Sequence, residues 1–397
     1  MIPIISRKRT FQAAIADPAL HSLGGHHYVA SERLSLELSR LSAKHLILGA
    51  NGADDEVLRN LGARNSFSES IYGRTDRSVA EFSRRARALA RDLLRAVRWQ
   101  WPALLVLPTC DQVVAYATAL ALEKSLARWR PTVLLWLLFP PDDEQGWEEY
   151  RKAFTALRSI LGDDRKLYIC CETSGAVRDF SEVLGMSIDL RPGPNAIGNE
   201  DIREHRKHVP PVVACVGHAS AAKGYRHLPE ALSLALRENP ASIFRVHGFI
   251  DSRDIEVDQA TFDRLSALGA RVQITNRVLS TSEYREFLNA ADVILLPYDP
   301  VAYRARGSGI FNEAVLCGKP VIAPLGCSFA EEALADGRAV AIERLEPLEI
   351  SKSINQALND LESLSERARV FALGQHTNSL EQLLRTLLNC LPAPRTV

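Results

Sequence analysis

The segment from Asp292 to Gly326 gathers the residues best suited to holding a charged ligand. Gly307-Ser308-Gly309 follows two arginines, Arg304 and Arg306, and precedes a carboxylate, Glu313. Small residues where a loop enters a helix leave backbone N–H groups open, so a phosphate oxygen can approach them with help from the helix dipole. A carboxylate about one turn inside that helix could accept two hydroxyl protons from a ribose or a hexose. An ordinary loop and a solvated helix-start glutamate account for the same residues, since acidic side chains favour that end. On these residues alone both readings stand.

The surrounding elements decide what that loop faces. Val293 to Leu296 is a short apolar run closed by Pro297, and Val321 to Ala323 is another, which suits strands buried on both faces. Between them Phe311 to Cys317 is predicted to be helical, stopped by Gly318 and Pro320. Strand, crossover helix and parallel strand form a βαβ unit, whose ligands collect at the carboxyl ends of the strands. That puts Tyr298 to Gly309 at the mouth of a binding crevice.

The same rhythm recurs upstream. A strand from Val212 to Val216 runs into Gly217-His218 and then Lys223-Gly224, before a helix from about Tyr225 to Arg237. Lys223 suits an anion, although a solvated helix start would also place a lysine there. Phe244 to Gly248 and Val272 to Thr275 are further strands, and Gly248 could admit a base or ribose close to the backbone. Thr281 or Ser282 is the expected cap of the helix that precedes Asp292. Ala339 to Ile342 is a last strand, and Ile350 to Leu391 is largely helical.

In the first half a strand from Phe11 to Ile15 ends at Asp17-Pro18, and Gly24-Gly25-His26-His27 leads into a helix from about Val29 to Leu41. His26 or His27 could bond a sugar hydroxyl or a phosphate. Alternatively one ring is packed and the other solvated. Strands are expected at His45–Leu48, Ala103–Leu107, Val133–Phe139 and Leu167–Cys171, with a long arginine-rich helix from Arg84 to Trp99. Asp111 is better explained as a helix cap than as an acceptor contact. Asp142-Asp143-Glu144 fits a solvated helix start better than a metal site, because three successive carboxylates cannot all face one ion. The polar stretch from Ala196 to Pro211 has no apolar periodicity and marks the boundary between the halves.

Composition sets the outer bounds. The 397 residues suffice for two domains, and 46% apolar with 24% charged residues describes a soluble globular chain. Basic and acidic residues balance at 48 each and the arginines are scattered, so no nucleic-acid-binding stripe is inferred. Seven cysteines without a CxxC spacing suggest buried, reduced thiols in a cytosolic protein. The start, MIPIISRKRT, lacks the apolar stretch of a secretory leader, and no apolar run approaches the ~20 residues that span a bilayer. Peripheral membrane contact stays open.

The pattern DVxLLPY, a Gly/Ser-rich turn and EA-x-x-x-GKPVIAP resembles the donor-binding half of GT-B glycosyltransferases, in particular the large retaining group called family 4. Gly24-Gly25-His26-His27 is similar to the N-terminal glycine loop of those enzymes. The resemblance implies an α/β fold of two Rossmann-like doubly wound domains facing across a cleft. Residues 1–200 would be the acceptor-side domain and 201–370 the nucleotide-sugar donor domain, with a C-terminal helix at about 370–397 packing back on the first.

The same resemblance implies roles for individual residues. Glu313 would contact the ribose, Lys223 the diphosphate, and Gly24, Gly25, Gly217, Gly248, Tyr298, Gly307, Ser308 and Gly309 would line the donor. Lys223, Arg306 and His27 are the catalytic candidates, with His26, His218 and Arg304 beside the donor. Two positions depart from the pattern: Ala305 stands where a second glutamate is usual, and His218 where an arginine is. Arg306-Gly307-Ser308-Gly309 is similar to an Arg-x-Ser-Gly variant of the turn, and Arg304 or Arg306 could restore the missing charge.

The implied activity is transfer of a hexose from a UDP- or GDP-linked sugar to a glycan or lipid-linked acceptor in polysaccharide biosynthesis. Retention, no metal or other cofactor, and a cytoplasmic location, peripheral to the inner face of the membrane or free of it, go with it. No general base emerges from the sequence, which is compatible with front-face retaining transfer. A non-catalytic nucleotide-sugar-binding subunit and a GT-B nucleotide-sugar epimerase are the alternatives. The donor sugar, the base, the acceptor and the oligomeric state have no readable signature.

Overall fold

Two all-parallel β-sheets organise the chain in the computed structural model, which describes residues 11–23, 25–72, 78–97, 101–162, 166–194, 208–249, 259–374 and 380–389. The first unit comprises Met1–Glu172, Ala176–Pro194 and Asn378–Val397, and the second Thr173–Gly175 and Asn195–Thr377.

The first sheet contains β1 (Ala13–Ala16), β2 (His45–Ala50), β3 (Arg64–Phe67), β4 (Leu104–Cys110), β5 (Thr132–Leu137), β6 (Leu167–Cys171) and β7 (Asp189–Leu190). Their order is β3-β2-β1-β4-β5-β6-β7, which reverses direction between β1 and β4. The interior strands are buried along their length because their sequences are unbroken apolar runs. Helix His26–Arg40 turns Tyr28, Leu34 and Leu38 onto the sheet, where they meet Ile15, Ile47 and Val106. Leu383, Leu384 and Leu387, on the late helix Leu380–Asn389, complete the same core.

The second sheet contains β8 (Val212–Cys215), β9 (Ile243–His247), β10 (Val272–Thr275), β11 (Val293–Leu295), β12 (Val321–Pro324) and β13 (Ala339–Ile342). The order β10-β9-β8-β11-β12-β13 reverses between β8 and β11. Successive side chains of a strand point to opposite faces, and here each face has its own core. Val213, Val293, Leu295 and Ile322 enter one, while Ala214, Ile294, Val321 and Ala323 enter the other. Burying each Val, Leu or Ile contributes roughly 1.5–3 kcal/mol, so these strands are fixed by desolvation on both sides.

The doubly wound α/β architecture matches the expectation, and several details differ from it. β3, β7 and helix Asp55–Leu61 were not anticipated. β3 and β7 are the two edges of the first sheet and largely exposed, so they lack the apolar run that reveals an interior strand. Helix Thr281–Asn289 is capped by Ser280, not by Thr281 or Ser282: Ser280 and Glu283 form a reciprocal capping box. The helix expected from Tyr225 begins only at Leu228, after two short 3-10 turns, Ala221–Lys223 and Tyr225–His227.

Asp111 and Asp143 act as caps, accepting from Val114 N at 2.8 Å and Gly146 N at 2.7 Å. The Gly-Lys-Pro stop has its own logic. Gly318 takes a positive φ of 64°, and the buried Lys319 donates from Nζ to the carbonyls of Asn289 and Ala291 at 3.1 and 2.7 Å. Cys110, Cys170, Cys171, Cys215, Cys317 and Cys327 are buried free thiols, while Cys390 lies outside the described residues. Among the described residues no helix is long and apolar enough to cross a membrane.

Candidate functional site

In the second unit the candidate residues meet where the strand order reverses. The chain leaves β8 through Gly217, whose φ of +126° suits glycine. A Cβ there would stand 2.8 Å from both Lys223 Nζ and the Ile310 side chain. The Lys223 ammonium therefore lies directly over the Gly217 backbone, beside the first turn of helix Gly309–Leu316. It also lies 5.6 Å from the centroid of the buried Tyr298 ring. Burial pulls the Lys223 amine down to about 8.

Backbone contacts hold that loop against the exit of β11. Gly224 adopts φ +70°, and a Cβ there would fall 1.9 Å from Pro297 O. Asp299 N donates to Ala222 O at 2.8 Å. The buried Tyr225 hydroxyl sits 3.1 Å from Gly217 O and 2.5 Å from His247 O. Gly217 N–H donates to His247 Nδ1 at 3.3 Å, which leaves Nε2–H to donate to Arg277 O at 2.8 Å. His218 is half-buried, its ring 5.2 Å from that of Phe249.

Across the switch point Ser308 caps helix Gly309–Leu316, accepting from Phe311 N at 3.2 Å. Gly309 is exposed and Gly307 half-buried. Arg304 is exposed and Arg306 half-buried, with Arg306 close enough to Tyr303 to oppose the burial that raises that phenol to about 12. Glu313 is buried, and its carboxylate accepts from the Tyr284 hydroxyl. Ala305 is buried too, its carbonyl accepting from Thr173 Oγ1 at 2.9 Å. At Gly248 a Cβ would stand 2.7 Å from the Tyr225 ring and 3.1 Å from Ala219 Cβ, so packing explains glycine there.

The first unit builds a different arrangement at its own reversal point. Asp17 follows β1, is fully buried, and accepts from Ala19 N at 2.9 Å. His27, buried in the first turn of helix His26–Arg40, donates from Nδ1 to Asp17 at 2.8 and 3.1 Å to its two oxygens. Its Nε2 then accepts from the Tyr72 hydroxyl at 2.9 Å. Thr109 Oγ1, from β4, lies 3.3 Å from Nδ1, and His26 Nε2 lies 3.3 Å from Tyr72 Oη. Arg85 reaches from helix Val79–Ala96 to the carbonyls of Ser70 and Tyr72, fixing the strand of loop that carries the phenol. Gly25 is exposed with φ +85° just before the helix, and Gly24 lies outside the described residues.

Residues 210–360 match the family described as glycosyl transferases group 1. The matched stretch, the group 1 domain below, makes up most of the second unit. Comparison with curated proteins found no match. Among solved structures, a glycosyltransferase from Rickettsia africae ESF-5 aligns with a TM-score of 0.69 at 12% identity, over 96% of this chain and 99% of that one. Anabaena Alr3699/HepE in complex with UDP aligns at 0.68 and 16%, over 95% and 100%. WaaG, a glycosyltransferase involved in lipopolysaccharide biosynthesis, aligns at 0.60 and 15%, over 96% and 100%. The fold shared with these structures is GT-B, and with a group 1 domain in it the enzyme class is glycosyltransferase.

Within the group 1 domain, Gly217, Lys223, Tyr298, Ser308, Gly309 and Glu313 belong to elements that meet at the β8–β11 reversal. Gly25, His26 and His27 belong to the first unit and are held by a separate set of contacts. Sequence reasoning missed Tyr225, Tyr284 and His247 in the group 1 domain, and Asp17, Tyr72 and Thr109 in the first unit. Tyr225 had a readable signal, since it directly follows Lys223-Gly224. Asp17 had one as well: a carboxylate at the carboxyl end of a buried strand stands where doubly wound sheets take ligands.

Proposed function

We propose that the chain transfers a hexose from a UDP- or GDP-linked donor to a hydroxyl of a glycan or lipid-linked acceptor, without a metal cofactor. The observation that carries this reading is the Lys223 ammonium seated over Gly217, beside the Ser308-capped helix, at the reversal of the second sheet. Departure of a nucleoside diphosphate puts extra negative charge on its phosphates, and catalysis needs donors aimed at that charge. Lys223, the amides at Ser308 and Gly309, and Arg304 or Arg306 supply them in this reading. Fixed charge from the arginines compensates for His218, where the resemblance calls for a guanidinium.

Glu313, held by Tyr284, would take the ribose hydroxyls. HepE was solved with UDP, which supports a uridine nucleotide as the first ligand to try. The reading places the enzyme in the cytoplasm, acting in the assembly of a polysaccharide on a soluble or membrane-borne acceptor. Retention at the anomeric carbon goes with this reading, the departing diphosphate taking the acceptor's proton on the face it leaves.

The test is a calorimetric titration of the purified protein with UDP, GDP and their common hexose conjugates, alongside Glu313→Ala and Lys223→Ala. One nucleotide is expected to bind, and either variant to lose roughly 10- to 100-fold in affinity, the range of a charge-assisted hydrogen bond. No binding of any of them to the wild type would overturn the proposal. Binding without product would instead favour a non-catalytic subunit, which the residues at Ala305 and His218 would suit.

A further inference from the structure

We propose that His247 is a positioning residue for the transfer: neutral, with its proton on Nε2, it holds Gly217 in the one orientation that seats the Lys223 ammonium. This deepens the transferase reading and rests on it. The ring lies at the end of β9 and is 4% exposed, with the rings of Phe249 and Phe287 at 6.4 and 5.8 Å. Its two nitrogens join the exits of the two neighbouring strands. Nδ1 accepts from Gly217 N, after β8, and Nε2 donates to Arg277 O, after β10.

A carbonyl can only accept, so the Arg277 contact fixes a proton on Nε2. An amide N–H can only donate, so the Gly217 contact needs a lone pair on Nδ1. One state of the ring meets both, the neutral Nε2–H tautomer. Gly217 is held on its other side as well, since its carbonyl lies 3.1 Å from the Tyr225 hydroxyl. With both its peptides engaged the residue keeps φ +126°, and Lys223 Nζ rests on the face this fixes, 2.8 Å from where a Cβ would be. The Gly217 N–H is thereby committed to His247 and is not a phosphate donor. Its part is to seat the ammonium.

A second proton on the ring goes to Nδ1. There it faces the Gly217 N–H, two buried donors end to end, and the loop that carries Lys223 has to give way. The cations around the ring are Lys223, from the loop after β8, and Arg277, from the loop after β10, itself paired with Glu283. Tyr225 reaches the His247 carbonyl, Phe287 brings no charge from helix Thr281–Asn289, and the His218 ring stands on Phe249. Burial chiefly, then the two cations, hold His247 below its ordinary 6.5, while the bond to Arg277 O pulls the other way. Donor affinity therefore holds above that range and falls as pH drops through the His247 titration.

The experiment uses the full chain and the hexose conjugate of whichever nucleotide binds, because its phosphates carry no proton that titrates near neutrality. Calorimetric affinities from about pH 4.5 to 7.5 are expected to be level at the upper end and to fall toward the lower. Nitrogen chemical shifts of the wild-type ring at about pH 7.5 are expected to show Nε2 protonated and Nδ1 bare. Two variants divide the contacts. Asparagine places an oxygen where Nδ1 stands, and glutamine a nitrogen donor where Nε2 stands.

His247→Asn is expected to stay within about threefold of wild type at about pH 7.5, since a kept hydrogen bond keeps the loop, and to lose the acid limb. His247→Gln leaves the Gly217 N–H alone and binds about 5- to 100-fold more weakly, the range of one buried unmet donor. The limb remains in His218→Gln, which removes the other ring beside the loop. The wild-type limb and ring shifts decide the matter even where a variant fails to fold. Level affinity through the acid range, affinity that rises there, a limb that survives in His247→Asn, or a proton on Nδ1 overturns the role of His247 and leaves the transferase reading in place. No nucleotide binding by the wild type at any pH overturns that reading, and this one with it.

Discussion

At the scale of single residues, Lys223 ties burial to function. Its amine is pulled down to about 8 because the loop that positions it over Gly217 also removes water from it. A diphosphate favours the ammonium over the neutral amine, so binding weakens as pH rises through about 8 and is strongest below that. Above the transition the loss approaches a factor of about ten per pH unit if the ammonium is required, since one unit of pKa is ~1.36 kcal/mol. Calorimetric affinities for the nucleotide, measured from about pH 6.5 to 9.5, check this. In Lys223→Arg the charge is fixed, and the break should vanish. Flat affinity in the wild type across that range would show that Lys223 does not touch the phosphates.

At the scale of elements, the proposed donor site depends on a close approach of two loops more than on any helix. Gly224 is the contact: its positive φ and its 1.9 Å Cβ clash with Pro297 O leave no room for a side chain. Gly224→Ala is expected to destabilise the second unit by roughly 2–4 kcal/mol, read as a lower urea midpoint, and to weaken nucleotide binding along with it. Wild-type stability in that variant would mean the loop has freedom that its contacts deny.

The strands and helices flanking this approach were legible in the sequence because burial on two faces writes unbroken apolar runs, as in Val293–Leu295 and Val321–Pro324. The loops that carry Lys223 and Ser308 were legible because glycine and small residues announce a tight turn before a helix. Tyr284 and Tyr72 were not, since each acts through a hydrogen bond to a residue far away in sequence, 29 positions for Glu313 and 45 for His27. The cap of helix Thr281–Asn289 was misplaced by one or two residues because Ser280, Thr281 and Ser282 all carry a hydroxyl, and only the position of Glu283 at the third helical residue distinguishes them.

At the scale of the whole molecule, the first unit is discontinuous: the second unit's sequence interrupts it, and Leu380–Asn389 returns to its core. Leu384 is fully buried there, so Leu384→Ala is expected to cost the first unit about 2–5 kcal/mol, although the residue lies beyond the entire second unit in sequence. Two-stage unfolding followed by hydrogen exchange would assign the loss. A loss confined to the second unit would be the contrary result. The same arrangement sets a timetable during synthesis. The apolar face of helix His26–Arg40 leaves the ribosome well before its cover of Leu383, Leu384 and Leu387, with Asn195–Thr377 translated in between. A nascent chain thus carries an uncovered sticky surface while the second unit is being made, which makes it a client for chaperones that shield such surfaces until helix Leu380–Asn389 arrives.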